Sequence, residues 1–94
     1  MRRQQVDKAA HCVKAIAHPL RLSILGILVN GEKSVQDLTT ALGTTQSNVS
    51  QHLSHMKVRG LLKARREGNK TYYGVEDPRL SRLVDLMKDI FCKA

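Results

Sequence analysis

The stretch ALGTTQSNVSQHLSHMKVRG at 41–60 decides how this chain folds. Leu42, Val49, Leu53 and Met56 recur at helical spacing, so one side of a helix is apolar, while Gln46, Ser47, Ser50, Gln51 and Ser54 fall on the other side. Gly43 breaks the preceding helix, and Thr44 or Thr45 supplies the hydroxyl that caps the next. The helix therefore runs from Thr45 to Arg59 behind a tight turn, with an outward face of amides and hydroxyls. In the major groove each base pair shows its own donor and acceptor pattern, and an amide side chain can bridge an adenine edge with two hydrogen bonds. Short uncharged side chains suit that task. Long cations instead grip phosphate, which fixes position without carrying sequence information.

The cations follow directly. Lys57, Arg59, Lys63, Arg65, Arg66 and Lys70 lie within fourteen residues, with Glu67 against them. A polar face or a charge run taken singly is usually a solvated surface. Their order here, a glycine turn, a polar helix and a basic hairpin, favours a reading helix beside a phosphate clamp. Composition agrees: 16 Lys and Arg against 8 Asp and Glu give +8, which draws the chain to a polyanion. Tyr72, Tyr73 and Phe91 are too few and too clustered for base-stacking platforms, so duplex DNA is a better target than single strands. No apolar run approaches the ~20 residues of a membrane span and no signal-peptide pattern opens the chain, so a cytoplasmic location is expected. No nucleophile with a base at motif spacing, glycine-rich phosphate loop or catalytic carboxylate pair marks an enzyme.

The rest reads outward from this block as a single domain over 1–94. Val6, Ala9, Ala10, Val13, Ile16 and Ala17 form a first helix that stops near His18, before Pro19. Pro19 opens a second helix, apolar nearly all round and therefore central, ending at Asn30-Gly31. Ser34 and Asp37 form a capping box for a short third helix. After the reading helix, Glu67-Gly68-Asn69-Lys70 separates two short runs, Leu61 to Arg66 and Thr71 to Val75, that read as a hairpin. Asp77-Pro78 starts a last helix through Ala94, whose stripe of Leu80, Leu83, Val84, Met87, Ile90 and Phe91 is wide enough to call for a second copy of the chain. The fold class is mainly α with a small β-hairpin: a winged helix-turn-helix in the order α-α-α-α-β-β-α.

From about Lys14 to Val75 the chain resembles the ArsR-type family of small winged-helix repressors, most closely in AHPLRLSIL at 17–25, TTQSNVSQHLSHMKVRGLL at 44–62 and RREGNKTYY at 65–73. The resemblance implies a homodimer with helices one and five at the interface, a palindromic double-stranded operator and release by a chemical signal. It implies base contacts from Gln46, Ser47, Asn48, Ser50 and Gln51, with His52 and His55 on the flanks, and backbone contacts from Thr45, His55, Lys63, Arg65, Arg66, Lys70 and Tyr72. Val49 and Leu53 should be core.

The family's metal sensors place cysteines at the start of helix three or carboxylate and histidine ligands on helix five. Here Ser34 and Gln36 occupy the first position, and no histidine follows Asp77. Thiolate or imidazole donors are therefore missing from both arrangements, and no metal or cofactor is expected, a non-standard site around His11 and Cys12 being the alternative. The family's thiol sensors carry a cysteine late in helix five after an aromatic, as Cys92 follows Phe91, but their second cysteine, on helix two, is matched here by Gly26. Cys12 would have to take that part. Other readings of the same chain are two unrelated cysteines, a winged helix used as a protein-interaction module, or a general nucleoid protein.

Overall fold

The computed structural model describes residues 1–92, so the last two positions expected in the final helix, Lys93 and Ala94, lie outside the described residues. Helix α1 (Arg3–Ile16) starts a turn earlier than its apolar periodicity. Polar contacts support that extra turn: Gln5 accepts the Arg2 backbone N–H at 2.8 Å, and Arg3 pairs with Asp7 one turn on. It ends at Ile16 rather than His18, because the residue before proline is driven to extended geometry and His18 sits at φ −146°, ψ 130°. His18 then caps α2 (Pro19–Leu28), its Nδ1 accepting the Leu20 N–H at 3.1 Å. Helix α2 buries Ile24, Leu25 and Leu28 but leaves Leu22 42% exposed, so it is central on one side only.

Strand β1 (Lys33–Ser34) leads into α3 (Val35–Leu42) through the expected capping box, Ser34 Oγ accepting the Asp37 N–H and Asp37 Oδ2 accepting the Ser34 N–H. These two bonds hold the Asp37 carboxyl below its usual pKa, the backbone bond contributing most. Gly43 at φ 64° closes α3 in the left-handed conformation that only glycine adopts without strain. Helix α4 (Gln46–Val58) follows, capped by Thr45 rather than Thr44. Strands β2 (Leu62–Glu67) and β3 (Lys70–Val75) pair antiparallel in the register Leu62 with Val75 through Glu67 with Lys70. Gly68, at φ 62°, takes the first position of the two-residue turn, the usual place for glycine in a type II′ hairpin. The sheet order is β1-β3-β2, so Lys33 and Ser34 add a short third strand against Tyr73 and Tyr72. Two residues show no alternation, which is why the sequence reading contained only the hairpin.

Helix α5 (Pro78–Phe91) begins at Asp77, whose carboxylate accepts the Arg79 N–H and pairs with the Arg79 guanidinium. Those contacts pull the Asp77 carboxyl down to about 2. Six side chains are wholly enclosed: Ile24, Leu25, Leu38, Val49, Leu53 and Met56, all on α2, α3 and α4. Helix α5 adds only Val84 to the buried core, with Leu80 and Met87 packed at its edge. No helix among the described residues is long and apolar enough to cross a membrane.

Candidate nucleic-acid interface

Helix α4 divides cleanly into two faces. Val49, Leu53 and Met56 are wholly buried against α2 and α3, whereas Gln46, Ser47 and Gln51 are exposed and Ser50 is half-buried. The inner side chains fix the rotation of the helix about its axis, because turning Val49 or Leu53 outward would empty the core. The outer face is thereby set. Thr45 Oγ1 accepts the Asn48 N–H at 3.1 Å and retains its own O–H to donate. Asn48 differs from its neighbours: it is half-buried, and its Nδ2 donates to Thr44 Oγ1 at 3.1 Å, so its amide braces the turn before the helix.

The wing stands beside this face. Lys63, Arg66 and Lys70 are exposed, and none of them joins an ion pair among the described residues. Arg66 Nε reaches the Gly68 carbonyl at 3.4 Å, near the hairpin turn. Arg65 is a different case from the free cation expected of it. Its Nη2 and Nε lie 3.0 and 3.1 Å from Glu32 Oε1, its Nη1 meets Glu67, and its guanidinium sits 4.9 Å from the Tyr72 ring centroid. Sequence reading set only Glu67 against the basic run. Glu32 enters from the turn before β1 and passes over Gly74, where a Cβ would stand a tight 3.2 Å from Glu32 Cγ.

His55 is exposed on the last turns of α4, and His52 is half-buried as expected of an inward flank. His52 Nδ1 accepts the Arg21 Nε–H at 3.0 Å, which places the imidazole proton on Nε2. Its ring packs at 42° against His18 with centroids 4.6 Å apart. Burial, then the nearby His18, Arg21 and His55, lowers its pKa below 6.5. Arg21 also donates from Nη1 to the Ala15 carbonyl at 3.1 Å, satisfying a carbonyl in the last turn of α1. Arg21 thus ties α1, α2 and α4 together. Sequence inspection assigned Arg21 and His18 no role, since Arg21 and its partner His52 are 31 positions apart.

Cys12 is half-buried on α1 and lines a cleft of about 780 Å³ with Lys8, Arg59, Arg79, Leu80 and Leu83, while Cys92 is exposed at the end of α5. The two thiols are free. Leu83 precedes Cys92 by nine residues of helix, about 14 Å at 1.5 Å per residue, so the two thiols address different ends of α5. Among the described residues no three His, Cys, Asp or Glu side chains gather as a metal site would require, His11 and Cys12 included.

A helix-turn-helix with an exposed amide and hydroxyl face, flanked by a cationic hairpin, is the structural class of duplex-reading regulators. Residues 18–64 match the family described as "Bacterial regulatory protein, arsR family". The chain belongs to that family of DNA-binding transcriptional regulators, which are not enzymes. It is 33% identical to the transcriptional activator HlyU of Vibrio cholerae over 93% of this chain and 81% of that protein, and the HlyU structure superposes with a TM-score of 0.90 over 98% of this chain and 100% of that chain. The biofilm growth-associated repressor of Xylella fastidiosa is 31% identical over 95% of this chain and 78% of its own length. The homodimeric winged helix-turn-helix domain of Mycobacterium bovis Mb0332 is 36% identical, with a TM-score of 0.86 over 93% of this chain and 81% of that chain. Against the longer regulator Rv0324 of Mycobacterium tuberculosis, 37% identical over 88% of this chain, the match spans only 37% of that protein.

Proposed function

We propose that this chain is a homodimeric cytoplasmic repressor that occupies a palindromic operator and is released by a chemical signal. The carrying observation is the two-faced α4, whose buried Val49, Leu53 and Met56 hold Gln46, Ser47 and Gln51 outward beside Lys63, Arg66 and Lys70, cations without an ion pair among the described residues. In this reading Gln46, Ser47, Ser50 and Gln51 read base edges, with Asn48 bracing the turn. Thr45, His55, Lys63, Arg66, Lys70 and Tyr72 hold phosphate, and Arg65 joins them only as its carboxylate partners release it. Pairing is by α1 and α5, supported by exposed Val6, Val13, Leu86, Ile90 and Phe91 and by the homodimeric state of the Mb0332 domain.

Fluorescence anisotropy with the chain's own upstream DNA tests the division of labour. Gln51→Ala should cost about 1–3 kcal/mol on the matched site and little on scrambled DNA, as loss of a base contact does. Arg66→Gln should weaken both duplexes alike and flatten the salt dependence. Equal losses on both duplexes from both variants would refute the assignment. For the signal, the cleft beside Cys12 and a solved reduced form of HlyU favour thiol chemistry. Oxidant or persulfide should then lower operator affinity in the wild type but not in Cys12→Ser or Cys92→Ser. An unchanged wild type would refute the thiol reading and leave repression standing.

A further inference from the structure

A second cleft of about 220 Å³ opens between the C-terminal halves of α1 and α4, lined by His11, Lys14, Ala15, Arg21, His55 and Arg59. Every side chain in that lining except Ala15 is cationic or can become so, and no carboxylate is among them. None of Lys14, Arg21 and Arg59 takes part in an ion pair among the described residues. Arg21 is half-buried and held in place by His52 and the Ala15 carbonyl. Those bonds use two of the five N–H groups of its guanidinium and leave about three for another acceptor. Of the three cationic side chains that line the cleft only Arg21 is fixed by hydrogen bonds, and an acceptor of opposite charge would offset the repulsion among them. The cleft has room for several waters, and so for one oxyanion with part of its hydration shell. A planar arginine fork fixed in advance suits tetrahedral oxyanions.

We infer that the cleft between α1 and α4 is a binding site for a phosphate-class oxyanion, anchored by Arg21 and closed by Lys14 and Arg59. Two sources share that chemistry: a free phosphate, or a backbone phosphate of the bound duplex. The second rests on the proposed DNA reading. His55 follows Gln51 by one turn on the same stripe of α4, about 6 Å along the axis, which sets the cleft beside the strand that would border the groove.

The test uses the full chain and a Lys14→Gln/Arg59→Gln variant, both positions being exposed and outside the core, with Lys8→Gln as the control beyond this cleft. Titration with inorganic phosphate against chloride at matched ionic strength should raise the melting temperature of the wild type and the control, and leave the double variant unmoved. That result assigns a free oxyanion. A salt slope for duplex binding that is smaller by about 1.8 in the double variant, two contacts at ~0.9 each, without a phosphate-specific shift, assigns the backbone source. The site is overturned when phosphate acts as chloride does and the slopes of all three proteins agree. A wild type that binds no duplex defeats the DNA reading, and the phosphate titration then decides the site alone.

Discussion

Arg65 lies between two carboxylates, and that arrangement predicts a gain of DNA binding on removing a charge. Glu32 holds two of its nitrogens at 3.0 and 3.1 Å, and Glu67 holds a third. One cation against two anions leaves the middle of β2 with a local charge of −1, beside Lys63, Arg66 and Lys70. Exposed pairs of this kind contribute little to folding, so Glu32→Gln should leave thermal stability nearly unchanged. Its effect should appear on duplex DNA. Each phosphate neutralised adds ~0.9 to the slope of log affinity against log salt, so an Arg65 freed to meet phosphate steepens the slope by up to about 0.9. Over a fourfold rise in salt this costs an extra factor of 4 to the power 0.9, about 3.5-fold, while affinity at low salt rises. Anisotropy with labelled duplex at stepped salt reads both quantities. Matched and scrambled duplexes should change together, since phosphate carries no sequence. Lys63→Gln is the opposite control and should reduce the slope. An unchanged slope in Glu32→Gln, or weaker binding at low salt, would refute the masking of Arg65.

Leu53 is wholly enclosed on the inner face of α4, so Leu53→Ala should cost about 2–5 kcal/mol in urea unfolding and weaken DNA binding through loss of the fold. His52 has its cationic form disfavoured in the folded chain, so the unfolded chain takes the proton first as pH falls. Its contribution to stability is fully present above about 6.5 and is lost as pH drops through the lower folded value; the difference in unfolding free energy between wild type and His52→Gln across that window measures it. Ile90 is 58% exposed on α5, so in the proposed dimer Ile90→Asp should leave the monomer folded, shift sedimentation from dimer to monomer and lower affinity for the proposed palindrome more than for a half-site. A dimer unaffected by that change would move the pairing surface off α5.

Patterns that are local were legible in the sequence, and contacts across distance were not. The two faces of α4, the Ser34 and Asp37 capping box, the Gly43 stop and the hairpin each follow from residues within a turn or two of one another. The register of β2 against β3 did not follow, because a four-residue separation leaves open the Glu67–Lys70 pair that the structure adds, with Gly68 and Asn69 alone in the turn. Glu32 on Arg65 and Arg21 on His52 join residues 33 and 31 positions apart, and no periodicity or spacing rule connects them. The same limit applies to Asn48. Its type suits base reading and its position suits the resemblance, and one of its amide N–H groups also bonds Thr44 four residues back, a contact set by the turn geometry.

The distribution of burial bears on how such a protein would signal. All six wholly enclosed side chains lie on α2, α3 and α4, so the reading head is the stable part of the domain. Helices α1 and α5 contribute only Ala15, Ile16 and Val84 to the buried core and leave Val13, Leu86, Ile90 and Phe91 more than half exposed. Their outer faces are therefore completed by whatever covers them, and in the proposed dimer that cover is the partner's pair of helices. In the proposed thiol reading, a chemical change would act on these two helices, at Cys12 where α1 packs against the edge of the core or at the exposed Cys92. It can alter the angle between two intact reading heads without unfolding either. Because a palindrome fixes the distance between half-sites, a small change of angle is enough to weaken binding at one of them.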